Sequence, residues 1–413
     1  MRHFEIKRGE WPSNAGAPAQ RINGQIAVGS AAFLGRDMPG LRPVFEVKQG
    51  EQVEIGQTLF TDRKHPEIAF VSPVTGRVST LAYGARKTLS ACILEVDDTV
   101  QADPASVPIE AASAASIRET LLARGMWIAF RTRPFGKTPT PDAKPTAIFV
   151  NACHASPLAA DPRLVLEDRM ATFRHGVSLL TRLTEGKVYV CQSPGDAFCA
   201  EEEQIEPVSF SGTIAAGLAG THVDRLCRIS ATEKVWTISY QDVIAIGHLF
   251  ETGQYLAERV VSVAGVGAAR PRLVRTCLGA NIADICDAGE GSRALAGDPY
   301  TGHAATYLGR FHAQISVNAK TTPKPIRTWT LRKHTGLSAL VPTGALDHAL
   351  APDILAVPLL RALSIGDSET AARLGCLGLI EEDVATLSRR CTSGTNYGAL
   401  LRLVLDDLME AAA

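Results

Sequence analysis

The sequence predicts a multidomain α+β protein. It orders an N-terminal β domain, a central α/β domain on a parallel sheet, a small β-rich module and a helical C-terminal region. Three observations carry this. Short β-type runs separated by glycine turns fill the first 97 residues. A strand–helix–strand succession lies between 146 and 191. Helical patterns take over from about 349. The length of 413 residues fits two or three domains at about 150 residues each. Apolar residues make up 46% and charged residues 21%, a globular mix that excludes a disordered chain, a coiled coil or collagen. Lys and Arg total 42 against 43 Asp and Glu, which argues against nucleic-acid binding through the whole surface.

The segment Met1–Pro12 carries charges throughout and has no apolar centre, so it does not read as a signal peptide. The first domain spans 1–97. Val44 to Lys48, Gln49 to Phe60, Phe70 to Val78 and Leu89 to Val96 are its β runs, the last reading as a strand buried on both faces. The phrase from Gly50 to Leu59 (GEQVEIGQTL), followed by Ser72 to Val78 (SPVTGRV), resembles the barrel-sandwich fold of biotinyl and lipoyl carriers in permuted order. The tip from Thr61 to Pro66 then corresponds to the carrier hairpin. Lys64 lacks the flanking methionines of a modified lysine, which favours a scaffold with a solvated basic tip.

A linker rich in Ala, Pro and Ser covers 98–116. The α/β domain covers 117–257. It opens with a short helix, Ile117 to Arg124, stopped by Gly125. Thr146 to Ala152 and Lys187 to Cys191 are strands. Between them a helix within 168–184 places Leu179, Leu180 and Leu183 on one side, so the two strands should run parallel. Val235 to Phe250 closes the domain with strand-like and helix-like apolar runs, and Val243 to Phe250, the best candidate span in the chain, is too short to cross a bilayer. The third unit, 258–348, holds strands Arg259 to Val263 and Leu273 to Leu278 and a short helix from Ile282 to Cys286, and it resembles a small β-grasp (SLBB-like) module. The helical region is 349–413.

Motifs for cofactors are weak. The nine cysteines form no C-x-x-C, so neither zinc nor an iron–sulfur cluster is expected. Gly289-x-Gly291-x-x-Ala294 matches a dinucleotide loop but lacks the strand before it, and Gly265-x-Gly267 runs into Pro271. Gly217 to His222 (GLAGTH) reads either as an anion-holding helix start or as close packing through glycines. His154, just past a strand end with Asp161 and Asp168 nearby, is the best-placed histidine; a structural role is the alternative. The loop from Trp127 to Lys137 combines Trp127, Phe130 and Phe135 with Arg131, Arg133 and Lys137. It suits a flat anionic or quinoid ring, a phosphate or a partner protein. The plainer reading has its aromatics filling the core where domains join. Charge is segregated along the chain. Residues 118–144 hold six basic and two acidic side chains, and 364–413 hold eight acidic and four basic. Lys320 to Lys333 adds a further basic run. Such segregation either orients partner docking or is solvated surface.

Several longer phrases occur in one order along the chain. They include Phe33 to Pro43 (FLGRDMPGLRP), Leu59 to Lys64, Phe130 to Phe135 (FRTRPF), Asn151 to Pro162, Gly217 to His222, Val235 to Gly247, Arg270 to Thr276 and Leu360 to Asp367. Together they resemble the NqrA family, a subunit of the bacterial sodium-translocating NADH:quinone oxidoreductase, over nearly the whole chain. The resemblance implies a peripheral subunit without a membrane span, on the cytoplasmic face of the inner membrane. Its partners would be five other subunits, B to F. NADH, flavins, an iron–sulfur cluster and Na⁺ would be handled by those subunits, and ubiquinone would be the electron acceptor. This chain would carry no redox cofactor and no catalytic residue. Cys376 and Cys391 cannot complete a four-cysteine site alone. The family often carries His-Pro where this chain has Ile214-Ala215, and the chain is somewhat short. Trp127, Phe130, Arg131, Arg133, Phe135, Lys137 and His154 are the expected quinone- or partner-binding residues. The competing readings are a stand-alone NADH-oxidising flavoprotein and a biotin- or lipoyl-type carrier modified at Lys64.

Overall fold

Among the described residues, four sheets organise the chain. The computed structural model describes residues 1–97, 107–227, 229, 233–286, 288–289, 291–319 and 340–411. The basic run at 320–333 and most of the linker at 98–106 lie outside the described residues.

The barrel-sandwich domain packs a four-stranded antiparallel sheet against a three-stranded one. Their inner faces meet on an aromatic cluster. Phe60 and Phe70 stack at 4.6 Å, and Phe33 meets Phe60 edge-on at 5.7 Å. The strand Leu89–Val96 buries Leu89, Cys92 and Leu94 but leaves Ser90 and Glu95 exposed. It is therefore covered on one face, not both, because a sandwich sheet turns its other face to water. The tip bearing Lys64 is a turn in which Asp62 accepts the Lys64 amide at 3.1 Å, and Lys64 is exposed.

The central sheet has six strands. Its order is Arg2–Ile6, Ile205–Gly212, Lys187–Gln192, Ala147–Ala152, Val235–Ser239, Arg131–Arg133. All neighbours are parallel except the last pair. The helix Met170–Thr181 makes the crossover between Ala147–Ala152 and Lys187–Gln192, as the sequence predicts. It crosses the helix Tyr240–Thr252 through glycine: a Cβ on Gly176 would sit 2.2 Å from the Val243 carbonyl oxygen. The first helix, Ala114–Ala123, begins within the expected linker. Ser113 caps it by accepting the Ser116 amide.

The SLBB-type module is a five-stranded mixed sheet in the order Ser292–Ala296, Gln314–Ala319, Glu258–Ala264, Arg272–Cys277, Ile22–Gln25. The sheets thus cross the boundary drawn at residue 97. Arg2–Ile6 pairs with Ile205–Gly212, and Ile22–Gln25 pairs with Arg272–Cys277. Charged or polar edge strands show no apolar pattern of their own, so sequence periodicity did not assign them. Between them Gly16 approaches Gly265 closely, and the Gly265 amide donates to the Gly16 carbonyl at 2.9 Å.

The C-terminal helices enclose a separate core that includes Leu359, Leu363, Leu387, Tyr397, Leu401 and Leu405. Phe135 from the α/β domain is part of that core. Among the described residues no helix is long and apolar enough to cross a membrane.

Candidate functional site: an interdomain cavity

The loop from Trp127 to Lys137 is the joint between the α/β domain and the helical region. Its first aromatics are interior. Trp127 and Phe130 are fully buried with Trp236, their rings at 5.6, 5.2 and 5.1 Å from one another. The Trp127 indole donates to the Pro139 carbonyl at 2.9 Å, and the Arg118 guanidinium lies 5.2 Å over its ring. Trp127 and Phe130 therefore offer no face to a ligand, and the core-filling alternative describes them. Phe135 seats in the helical core, burial worth about 1.5–3 kcal/mol for such a side chain.

The cations of this loop meet the acidic C-terminal region. Arg133 is fully buried and donates through Nη1 to Asp383 at 2.6 Å and to the Gly378 carbonyl at 3.0 Å. Its Nη2 lies 3.4 Å from Glu382. Lys137 pairs with Asp406 at 2.9 Å. Arg402 returns the exchange, donating to both oxygens of Glu381 at 2.6 and 2.8 Å and to the Phe135 carbonyl at 2.6 Å. Part of the opposite charge of 118–144 and 364–413 is thus paired within the chain, through Arg131, Arg133 and Lys137. Two carboxylates show the balance. Burial raises the Glu381 carboxyl, but Arg402 outweighs it and holds the group below its ordinary range. Burial raises Glu382 above its range against the pull of Arg131 and Arg133. Its side chain is 34% accessible and borders the cavity described next.

The GLAGTH phrase lies at the same joint. The helix Ala219–Leu226 begins there, and a Cβ on Gly220 would sit 2.4 Å from Asp383 Oδ1. Close packing through glycine is the reading that fits. His222 is fully buried, its Nε2 is 2.7 Å from the Ala216 carbonyl, and burial lowers its pKa to about 4. It is a structural histidine. His154 follows the strand Ala147–Ala152 as expected; its amide donates to Ser193 at 2.8 Å, and its Nδ1 is buried without a partner. It does not line the large cavity, although its neighbour Cys153 does.

That cavity, of about 940 Å³, lies where all four units meet. The barrel-sandwich domain supplies Arg36 and Asp37, and the α/β domain supplies Arg131 and Gln241. The SLBB-type module gives Tyr300, His303, Phe311 and His312, and the helical region gives Glu382 and Arg389. Of the seven residues expected from sequence to bind quinone or a partner, Arg131 alone lines it. Its guanidinium stands 4.8 Å over the Phe311 ring, which is 37% exposed, and Nη1 is a loose 3.5 Å from Glu382. Phe311, His303 and His312 were missed by sequence reading. They sit in irregular turns before the strand Gln314–Ala319, where neither periodicity nor a motif marks them.

The glycine loops end in β structure or turns. Gly289 and Gly291 lead into the strand Ser292–Ala296, not a helix, so no helix N-terminus stands behind them for a pyrophosphate. Gly265 is in a tight turn against Val317. Among the described residues no group of three or more His, Cys, Asp and Glu is placed to hold a metal. Cys376 is buried in the helical core, and Cys391 contacts the Ser393 and Tyr397 hydroxyls at 3.1 and 3.3 Å.

A barrel-sandwich domain, a parallel α/β domain and an SLBB-type module joined around one polar cavity define the class: a multidomain protein without a described membrane span. Comparison with known proteins gives the family. Residues 4–97 match the model described as the NqrA N-terminal barrel-sandwich hybrid domain, 112–255 the NqrA second alpha/beta domain, and 260–306 the NQRA C-terminal domain. A-subunit proteins of the Na(+)-translocating NADH-quinone reductase are similar along their full length. The one from Yersinia pestis bv. Antiqua is 38% identical over 445 residues, covering 98% of this chain and 99% of the relative. Those from Actinobacillus pleuropneumoniae serotype 5b and Neisseria gonorrhoeae are each 38% identical, over 98% of this chain and 98% and 99% of their own. The chain belongs to the NqrA family, whose members are subunits of the Na⁺-translocating NADH-quinone reductase, an oxidoreductase complex.

Proposed function

We propose that this chain serves the complex as a peripheral subunit without a redox cofactor, and that it meets quinone or a partner at the rim formed by Arg131 and Phe311. Its partners are the other five subunits, B to F, chiefly those in the membrane, and its place is the cytoplasmic face of the inner membrane. NADH oxidation, the flavins, the iron–sulfur cluster and Na⁺ transfer belong to those partners. The observation that carries this reading is the position of Arg131. It is held by the interdomain joint, loosely paired, and stacked on an exposed phenyl ring at the mouth of a cavity. A planar carbonyl compound can stack on Phe311 while a quinone oxygen accepts from the guanidinium.

The test is Arg131→Glu in the assembled complex. Quinone reduction driven by NADH should show a raised KM for quinone, with the complement of co-purifying subunits unchanged. Unchanged kinetics in an intact complex would sink the rim as a contact point. The purified chain should show no flavin absorption and an intact mass equal to its sequence. Flavin bands would favour the stand-alone flavoprotein, and added mass at Lys64 the carrier.

A further inference from the structure

Arg131, His303 and His312 line the cavity together, and each carries a buried nitrogen that the fold leaves unpaired. His303 and His312 stand with ring centroids 5.4 Å apart. His303 Nε2, His312 Nδ1 and Arg131 Nε are all buried and without a partner. Buried polar atoms in native proteins are nearly always paired, so three together on one cavity wall call for an explanation. Arg36 and Arg389 also line the cavity, and among the described residues neither has a carboxylate partner. Arg389 lies 4.6 Å over the Tyr300 ring.

The electrostatics point the same way. Burial lowers the His312 pKa to about 4, and His303, Arg36 and Arg131 push it further in that direction. His303 is likewise lowered by burial and by Arg36. The acidic groups nearby are already engaged. Asp37 accepts the Arg310 amide at 2.8 Å, and its own carboxyl is raised by burial. Asp298 is occupied by the amides of Tyr300 and Thr301 at 2.7 and 3.1 Å. Three guanidinium groups, of Arg36, Arg131 and Arg389, and two imidazoles therefore face the cavity, and its two remaining carboxylates are also engaged, Glu381 by Arg402 and Glu382 by Arg131 and Arg133.

We propose that Arg36, Arg131, His303 and His312 form a binding site for a phosphate group. A phosphate offers several acceptor oxygens, and guanidinium forks match its geometry. The cavity, at about 940 Å³, has room for an organic remainder beside the exposed Phe311 ring and the half-buried Tyr300. The site shares Arg131 and the Phe311 face with the proposed rim contact, but titration with phosphate in the absence of quinone reads it separately.

The test is titration of the full chain, its histidines ¹³C-labelled, with inorganic phosphate, adenosine monophosphate and adenosine. Phosphate and the monophosphate should shift the His303 and His312 ring resonances, assigned with His303→Asn and His312→Asn, and adenosine should not. The bound anion should also raise the His312 pKa. Arg36→Gln should weaken binding by about tenfold, the loss of one charge-assisted bond. Because Arg36 is exposed and unpaired, this variant should keep the wild-type melting temperature. Arg131→Gln should weaken binding similarly. Tighter binding of the monophosphate than of inorganic phosphate would assign the site to a nucleotide, and equal binding to free phosphate. An equal shift by adenosine, no ring shift at millimolar phosphate, or undiminished binding to both variants would each overturn the proposal.

Discussion

The buried pair Arg133–Asp383 should decide whether the helical region stays locked to the α/β domain. Arg133 is fully buried, and the Asp383 side chain is 1% exposed. Asp383 Oδ2 accepts from Arg133 at 2.6 Å and from the Ile380 amide at 2.9 Å. In Asp383→Ala the guanidinium stays in the interior with only Glu382, 3.4 Å away, and the Gly378 carbonyl to offset it. Removing one partner of a buried pair costs about 3–5 kcal/mol. The orphaned Ile380 amide adds to the loss, and Glu382 offsets part of it, so about 3–5 kcal/mol remains the expectation. Replacing both partners with apolar residues removes the uncompensated charge. Arg133→Met with Asp383→Leu should therefore lie within about 2 kcal/mol of the natural protein. Urea unfolding of the two single variants and the double variant, combined as a cycle, measures the coupling. A single-variant cost below about 1 kcal/mol would refute the reasoning, and so would a double variant that loses the sum of the singles.

Other predictions follow from packing and titration. Gly220→Ala forces a methyl to 2.4 Å from Asp383 Oδ1 and should cost about 1–3 kcal/mol in urea unfolding, with Gly176→Ala, 2.2 Å from the Val243 carbonyl, at least as damaging. The Glu381 carboxyl is depressed in the folded state, so its contribution is present above its ordinary pKa of about 4.3 and lost as pH falls through the lower folded value. Glu381→Gln should consequently flatten the acid limb of a stability–pH curve; an unchanged limb would contradict the pairing with Arg402. Buried His222, lowered to about 4, makes the unfolded chain bind more protons between about 4 and 6.5, so stability should fall as pH drops through that window. In His222→Gln that slope should diminish, and an unaltered slope would place the proton uptake elsewhere.

Local signals were legible where the chain's own neighbours supply the physics. The alternation of apolar runs and glycine turns marked the barrel-sandwich strands. The leucines Leu179, Leu180 and Leu183 marked the crossover helix, Met170–Thr181, and with it the parallel pairing of Ala147–Ala152 and Lys187–Gln192. The ordered phrases from Phe33 to Asp367 carried the family. The partner of each charge was not legible. The basic loop and the acidic C-terminus lie some 250 residues apart, as Arg133 and Asp383 do, and a Coulomb pair depends on distance in space, which the order of residues does not give. For the same reason Trp127 and Phe130 left a ligand platform open beside the plainer reading as core, and the packing of Trp236 decided for the core. The strands Arg2–Ile6 and Ile22–Gln25 bond through backbone groups that every residue carries, so only the assembled sheets chose their neighbours. The cavity is likewise a product of tertiary structure. Arg36, Arg131, His312 and Arg389 come from four units, and apart from Arg131 none was marked as a site residue by its own segment of chain.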